Sequence, residues 1–312
     1  MTTRSGQGHG QADRGLEAIV SERRQLMNIA YRLLGSLAEA EDAVQETCAR
    51  WYALSPAQRD AIESPGAWLT TVTGRVCLNV LGSARVRRET YVGEWIPEPL
   101  PERTEWTTGR SGGATDDPAE RVTLDESVDL AFLVVLESMT PAERVAFILH
   151  DVFCLPFAEV AGIVGRTPAA CRQLASSARR RVRASRPAAA PAAERADIVR
   201  DFKRAWEAQD IAALIALLDP DATATADGGG LAVTFPHPIE GGERIASAWL
   251  EIARRRTGGM ALLERTVSGQ PGLVALQDGV VVSVFAFDVA GDRIRNIWVM
   301  RNPEKLIHWT TG

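Results

Sequence analysis

The chain has 312 residues, more than one ordinary domain, and its 46% apolar share can fill the cores of two or three. A net charge of −5 with 24% charged residues argues against a bulk nucleic-acid coat and leaves local basic patches as the place to seek a polyanionic partner. No apolar run approaches a membrane span; the longest, Leu130 to Leu136, is bounded by Asp129 and Glu137, so no membrane partner is expected.

The chain opens with MTTRSGQGHGQADRG, polar and glycine-rich, without a signal-peptide core, and residues 1–15 are expected to be a disordered tail. Residues 16–92 carry helical periodicity. Leu26, Ile29, Ala30 and Leu33 form one stripe, Ser36 to Glu39 is a capping box opening a helix through Trp51, and Pro65 starts a helix over 67–81 with Trp68, Leu69, Val72, Val76 and Val80 inward. Residues 93–122, rich in Pro, Gly and Thr, read as a linker. Helical patterning returns over 123–186, with Thr140 and Pro141 as cap and first turn of one helix.

Within that block, PFAEVAGIVGRTPAACRQLASSARRRVRASR reads as two short helices joined by a turn at Gly165, with Thr167 as N-cap and Pro168 as first helical residue. No Asp or Glu occurs from Ala161 to Ala193, while seven arginines fall between Arg166 and Arg186. Cys171, Leu174, Ala175, Ala178 and Val182 form the apolar stripe. The outer face carries Ala169, Ala170, Arg172, Gln173, Ser176 and Arg179, followed by Arg180. In a helix-turn-helix this face meets base edges in the major groove, and Arg and Gln suit guanine and adenine. The plainer reading is an arginine-rich solvated helix.

An Ala/Pro joint at 187–194 precedes a block, 195–312, of different character. Ile198, Phe202, Ala205 and Trp206 share a helix face, and a second helix spans about 211–218. Runs at 273–277, 280–287 and 293–300 are strands separated by turns. Both faces of the middle run are apolar, as in a curved sheet packed on helices outside and lining a cavity inside. The block is α+β.

Other signals are local. Asp42, Gln45, Glu46 and Arg50 face outward from one helix, a patch suited to a basic protein helix and equally to plain solvent. Ser64 to Arg88 holds no acid. Arg75, Asn79, Arg85, Arg87 and Arg88, with Trp68 and Tyr91 nearby, suit unstacked single-stranded DNA or, again, solvent. Cys48, Cys77, Cys154 and Cys171 lack CxxC spacing and His9, His150, His237 and His308 are dispersed. Reduced cysteines, a cytoplasmic location, no metal and no cofactor are therefore expected.

The stretches AYRLLGSLAEAEDAVQETCARWY and PGAWLTTVTGRVCLNVLGSARVRRETY resemble region 2 of extracytoplasmic-function (ECF) sigma factors, and SMTPAERVAFILHDVFCLPFAEVAGIVGRTPAACRQLASSARRRV resembles their region 4. The resemblance implies two all-α domains, a helical bundle and a helix-turn-helix, in a non-catalytic subunit that directs RNA polymerase core to promoters. It implies docking of Asp42, Gln45 and Glu46 on the clamp helices of the largest polymerase subunit and of region 4 at the flap. The −10 element would be read by Arg75, Asn79, Arg85, Arg87 and Arg88, and the −35 element by the helix from Thr167. The linker 93–122 would thread toward the RNA exit path.

The block 195–312 resembles the SnoaL-like branch of the NTF2-like α+β fold, a cone-shaped barrel. Trp95-Ile96-Pro97-Glu98-Pro99, Asp227-Gly228-Gly229-Gly230 and Asn302-Pro303-Glu304-Lys305-Leu306 resemble the three signatures of the ECF subgroup with this extension, departing at Leu231, where Lys is usual. Consecutive glycines admit close backbone approach, and a WxPEP strip is stiff and extended. A contact between them, regulating the sigma core in cis, is expected. Two rivals stand beside this reading: a SnoaL-like enzyme or ligand sensor fused to a DNA-binding module, with Asp227, His237, Glu240 or Asp288 as acid or base, and a one-component repressor.

Overall fold

The structure, a computed structural model, describes residues 9–89, 91–101, 128–185, 191–255 and 260–309, with the side chains of 9–21, 84–89 and 255 outside the description. It divides into two units: Met1–Ala84, Glu105–Leu124 and Met139–Arg179 form the first, and Arg85–Thr104, Asp125–Ser138 and Arg180–Gly312 the second.

The first unit is helical: α1 (His9–Leu34), α2 (Leu37–Ala53), α3 (Pro56–Asp60), α4 (Pro65–Glu89), and, after α5 (Leu130–Glu137) of the second unit, α6 (Pro141–Phe147), a π-helical turn at Ile148–Val152, α7 (Phe157–Val164) and α8 (Pro168–Ser185). Helix α1 begins inside the segment expected to be a disordered tail. Gln11, Ala12 and Arg14 favour helix, and Gly15 costs only about 1 kcal/mol within one. Helix α4 runs beyond the expected end at Leu81 because Gly82 is followed by no proline or cap.

Caps set the entries. Ser36 accepts from the Glu39 amide, Thr140 and Glu143 form a capping box ahead of Pro141, and Gly165 closes α7 at φ +70°. Leu26, Ile29, Ala30, Leu33, Val44, Trp51, Leu69, Val72 and Val76 fill the core, whereas Trp68 and Val80 are half-buried. Trp68 meets Trp51 edge-on at 5.3 Å. The two helical blocks pack against each other. Buried Arg144 donates to the Leu33 carbonyl at 3.0 Å, its guanidinium pushed down to about 10 by burial, and a Cβ on Gly74 would lie 2.9 Å from Ile163.

The second unit holds α9 (Ala192–Glu207), α10 (Ile211–Leu217), β1 (Leu218–Asp227), β2 (Ile239–Glu240), α11 (Gly242–Arg255), β3 (Met260–Val267), β4 (Gln270–Gln277), β5 (Val280–Ala290) and β6 (Arg293–Met300), with 3-10 turns at Pro303–Lys305 and Ile307–Trp309. The six strands run in the order β2-β1-β6-β5-β4-β3. The sheet is open, so the expected barrel is corrected: β2, only two residues long, ends one edge and β3 the other. All pairings are antiparallel except β1 with β6, which are parallel with Asp227 opposite Met300.

Alternation along β5 separates two apolar faces. Phe285 and Phe287 join Phe202, Trp206 and Trp249 under α9–α11, while Val284 and Ala286 join Val274, Trp298 and Met300 on the other side. Fully burying each such side chain is worth about 1.5–3 kcal/mol. The second face does not line a cavity, as had been expected. Ile96, Leu306 and Leu130 of α5 cover it, because that face is too apolar to leave wet. The segment 93–100 is thereby ordered on the sheet, with Ile96 to Leu100 buried, and residues 102–122 of the expected linker fall outside the described set.

Candidate functional site

Helix α8 presents the predicted outer face. Thr167 caps it, accepting from the Ala170 amide at 3.2 Å, and Cys171, Ala175, Ala178 and Val182 are buried. Thr167, Ala169, Arg172, Gln173, Ser176 and Arg180 are exposed, and Ala170 is half-buried. Arg172 lies over the Phe157 ring at 5.2 Å, which pre-orients its guanidinium at the turn. The Arg179 guanidinium is ion-paired with buried Asp151, which braces α8 against the π-helical turn at Ile148–Val152.

On α2, Asp42, Gln45 and Glu46 are exposed, and Glu46 holds Arg50 at 2.9 Å one turn on. On α4, Asn79 is exposed and Arg75 donates to the Gly162 carbonyl at 2.9 Å. That bond couples α4 to α7. The side chains of Arg85, Arg87 and Arg88 lie outside the described residues.

The third site lies in the second unit. Because β1 and β6 are parallel, their ends meet, and the two segments that follow, Asp227 to Gly230 and Asn302 to Lys305, fall side by side. The Asp227 carbonyl accepts from the amides of Arg301 and Asn302 at 2.7 and 2.9 Å. The Asp227 carboxylate, 0% exposed, is filled on all sides. Oδ1 accepts from the Tyr91 hydroxyl at 2.6 Å and the Gly229 amide at 3.0 Å; Oδ2 accepts from the Ile96 amide at 3.0 Å and Lys305 Nζ at 2.7 Å.

Lys305 also donates to the Ile96 carbonyl at 2.6 Å and lies over the Trp95 ring at 4.3 Å. Asn302 donates to the Tyr91 oxygen at 3.0 Å. Burial, then the Asp227 carboxylate, pushes the Tyr91 phenol above its ordinary range, holding it protonated as the donor. Further along, Leu100 exchanges bonds with Ser268, and Trp309 donates to the Pro99 carbonyl at 2.9 Å. Glu98 is buried with His308 at 3.9 Å, and Pro97 and Pro99 are buried while Pro303 and Glu304 are exposed.

The glycines are explained by this packing. Gly229 has φ +60°, and a Cβ there would lie 2.3 Å from Asn302 Nδ2; a Cβ on Gly228 would lie 2.2 Å from the Ala232 carbonyl. Leu231 is 62% exposed, and the positive charge at Asp227 comes from Lys305, so this clamp asks for none at position 231. Sequence reasoning missed Tyr91, taken as a DNA-gripping aromatic, together with Ser268 and Trp309. Only the adjacency of Tyr91 to the linker pointed to it.

A cavity of about 560 Å³ opens on the helix-covered face, lined by Trp206, Phe235, Trp249, Phe285 and Arg301 among others. None of the four acid or base candidates is among its described lining residues. Asp227 is taken by the clamp, Asp288 accepts from Asn296 at 2.9 Å, and His237 and Glu240 are exposed. No described helix is long and apolar enough to cross a membrane, and no described cluster of His, Cys, Asp or Glu can hold a metal ion. The described cysteines are free.

Comparison with known proteins agrees with this layout. Residues 18–88 match the Sigma-70 region 2 family and residues 129–182 the Sigma-70, region 4 family. The chain is 38% identical over 296 residues to the ECF RNA polymerase sigma factor SigJ of Mycobacterium tuberculosis, spanning 91% of this chain and 90% of that one. It is 35% identical to the probable ECF sigma factor SigI of the same organism, over 92% of each. The crystal structure of M. tuberculosis SigJ aligns with a TM-score of 0.70 and 34% identity, covering 92% of this chain and 96% of that one. With both sigma regions in order and a SnoaL-like domain behind them, the chain belongs to the ECF RNA polymerase sigma factors, which bind polymerase core and direct it to promoters.

Proposed function

We propose that this sigma factor is regulated in cis by its C-terminal domain, through the clamp that Asp227, Lys305, Asn302 and the glycines close on Tyr91 and Trp95 to Pro99. The observation that carries this is the buried Asp227 carboxylate, which binds both the linker amide of Ile96 and Lys305 of the C-terminal tail. A linker held this way cannot also thread through polymerase, so release of 93–100 is the regulated step. The domain division supporting this is region 2 at 16–92, region 4 at 123–186 and the regulatory domain at 195–312.

Within the sigma core, Asp42, Gln45 and Glu46 are the docking residues for the clamp helices of the largest polymerase subunit, and region 4 contacts the flap. Their exposure on one face of α2 supports this. Replacing all three by Ala is expected to weaken core binding in a pull-down or titration while leaving the melting temperature within a degree or two. Unchanged core affinity with lost stability would make the patch structural.

Arg172 and Gln173 are the −35 readers. A bidentate base contact is worth about 1–3 kcal/mol, so Arg172→Ala and Gln173→Ala should each relax preference at one or two base pairs. Arg180→Ala should weaken all sequences alike and lower the salt slope of binding. A uniform loss from all three would mean that α8 supplies charge and no readout. Arg75, Asn79, Arg85, Arg87 and Arg88 are assigned to the −10 strand.

A further inference from the structure

Two of the residues lining the cavity under α9–α11 each hold a hydrogen-bond donor that the fold does not use. Its walls are aromatic: Phe235 and Trp249 rings lie 5.9 Å apart, Trp206 and Phe285 5.4 Å. Trp249 is 1% exposed, yet its indole Nε1 has no hydrogen-bond partner. Arg301, half-buried, gives one nitrogen to the Val233 carbonyl while its Nε has none. Both groups can only donate. A donor left unmade in the interior is destabilising, so each calls for an acceptor. Arg301 is the only ionisable side chain among the described lining residues, so the cavity carries positive charge with nothing acidic to balance it. A volume of about 560 Å³ lies within the range of small-molecule sites.

We propose that this cavity binds an amphipathic organic anion, with its apolar body between the aromatic walls and its carboxylate or sulfonate accepting from Arg301 and Trp249. The proposal is of binding and includes no reaction, as no carboxylate or imidazole is among the described lining residues. Arg301 and Ala226, both lining residues, immediately adjoin Asn302 and Asp227 of the linker clamp, so an occupant lies one residue from it at the ends of the two parallel strands. This placement matters for regulation, but the binding site stands whether or not the clamp regulates transcription.

The test uses the full chain and two fluorescent probes of similar shape, anionic 8-anilinonaphthalene-1-sulfonate and uncharged N-phenyl-1-naphthylamine. The wild type is expected to bind one molecule of the anion per chain and to prefer it over the neutral probe. Loss of a charge-assisted bond costs roughly tenfold, so Arg301→Met should weaken the anion by about that factor and leave the neutral probe nearly unchanged. Trp249→Phe, which keeps an aromatic wall and deletes the N–H, should weaken the anion selectively even if Arg301→Met folds poorly. Ser283→Phe, filling the cavity, should abolish both. Equal affinity for the two probes, an anion preference that survives both donor deletions, or binding indifferent to Ser283→Phe would overturn the proposal, as would no binding of either probe, which would leave water as the occupant.

Discussion

Replacing Lys305 with Met is expected to destabilise the second unit by about 3–5 kcal/mol, the usual consequence of leaving a buried charge without its partner. Asp227 is wholly buried and Lys305 nearly so, at 2.7 Å, and the same ammonium holds the Ile96 carbonyl and the Trp95 ring. The loss should therefore appear twice. Urea denaturation should show an earlier transition for the C-terminal unit, and limited proteolysis should cut faster near residues 93–101. The double variant Asp227→Asn with Lys305→Met should recover part of the loss, because no unpaired charge remains inside. If the two single losses simply add, the pair is not coupled and the clamp is not built around it.

The second large effect is expected at Gly229. A non-glycine residue at φ +60° costs on the order of 1–3 kcal/mol, and the Cβ of Gly229→Val would also strike Asn302, which holds the Tyr91 hydroxyl. The variant should lose stability and release Tyr91, read as a change in tyrosine exposure on ultraviolet difference spectra. Leu231→Lys, two residues on at an exposed position, should stay within roughly 0.5 kcal/mol of the wild type. Equal effects at the two positions would mean that the loop tolerates or rejects any change, and that the close approach to Asn302 is immaterial.

The helical half was largely legible in advance because its rules are local. Thr167, Pro168 and Gly165 place α8 and its turn, and the stripe of Cys171, Ala175 and Ala178 fixes which face is free. Arg179 was not legible. Its partner Asp151 lies 28 residues away, and no periodicity encodes that pairing. The three motifs were visible as motifs, and the stiffness of Trp95 to Pro99 suggested a strip in a groove. What joined them was the parallel pairing of β1 with β6, a long-range choice that brings the residues after Asp227 and Met300 together. The alternating strand pattern gave two apolar faces but not their covers. A closed barrel with an interior cavity and an open sheet capped by α5 and Ile96 bury the same residues.

The most direct measurement is run-off transcription from a cognate promoter with polymerase core, comparing the intact chain with Lys305→Met and Trp95→Ala. Point variants are preferable to truncation at Arg186, which would strip the cover from α5. Both should shift run-off yield in the same direction relative to the wild type, with −35 duplex binding unchanged, because each frees the linker without touching α8. Unchanged run-off from both variants, with the linker shown by proteolysis to be released, would contradict regulation through the clamp.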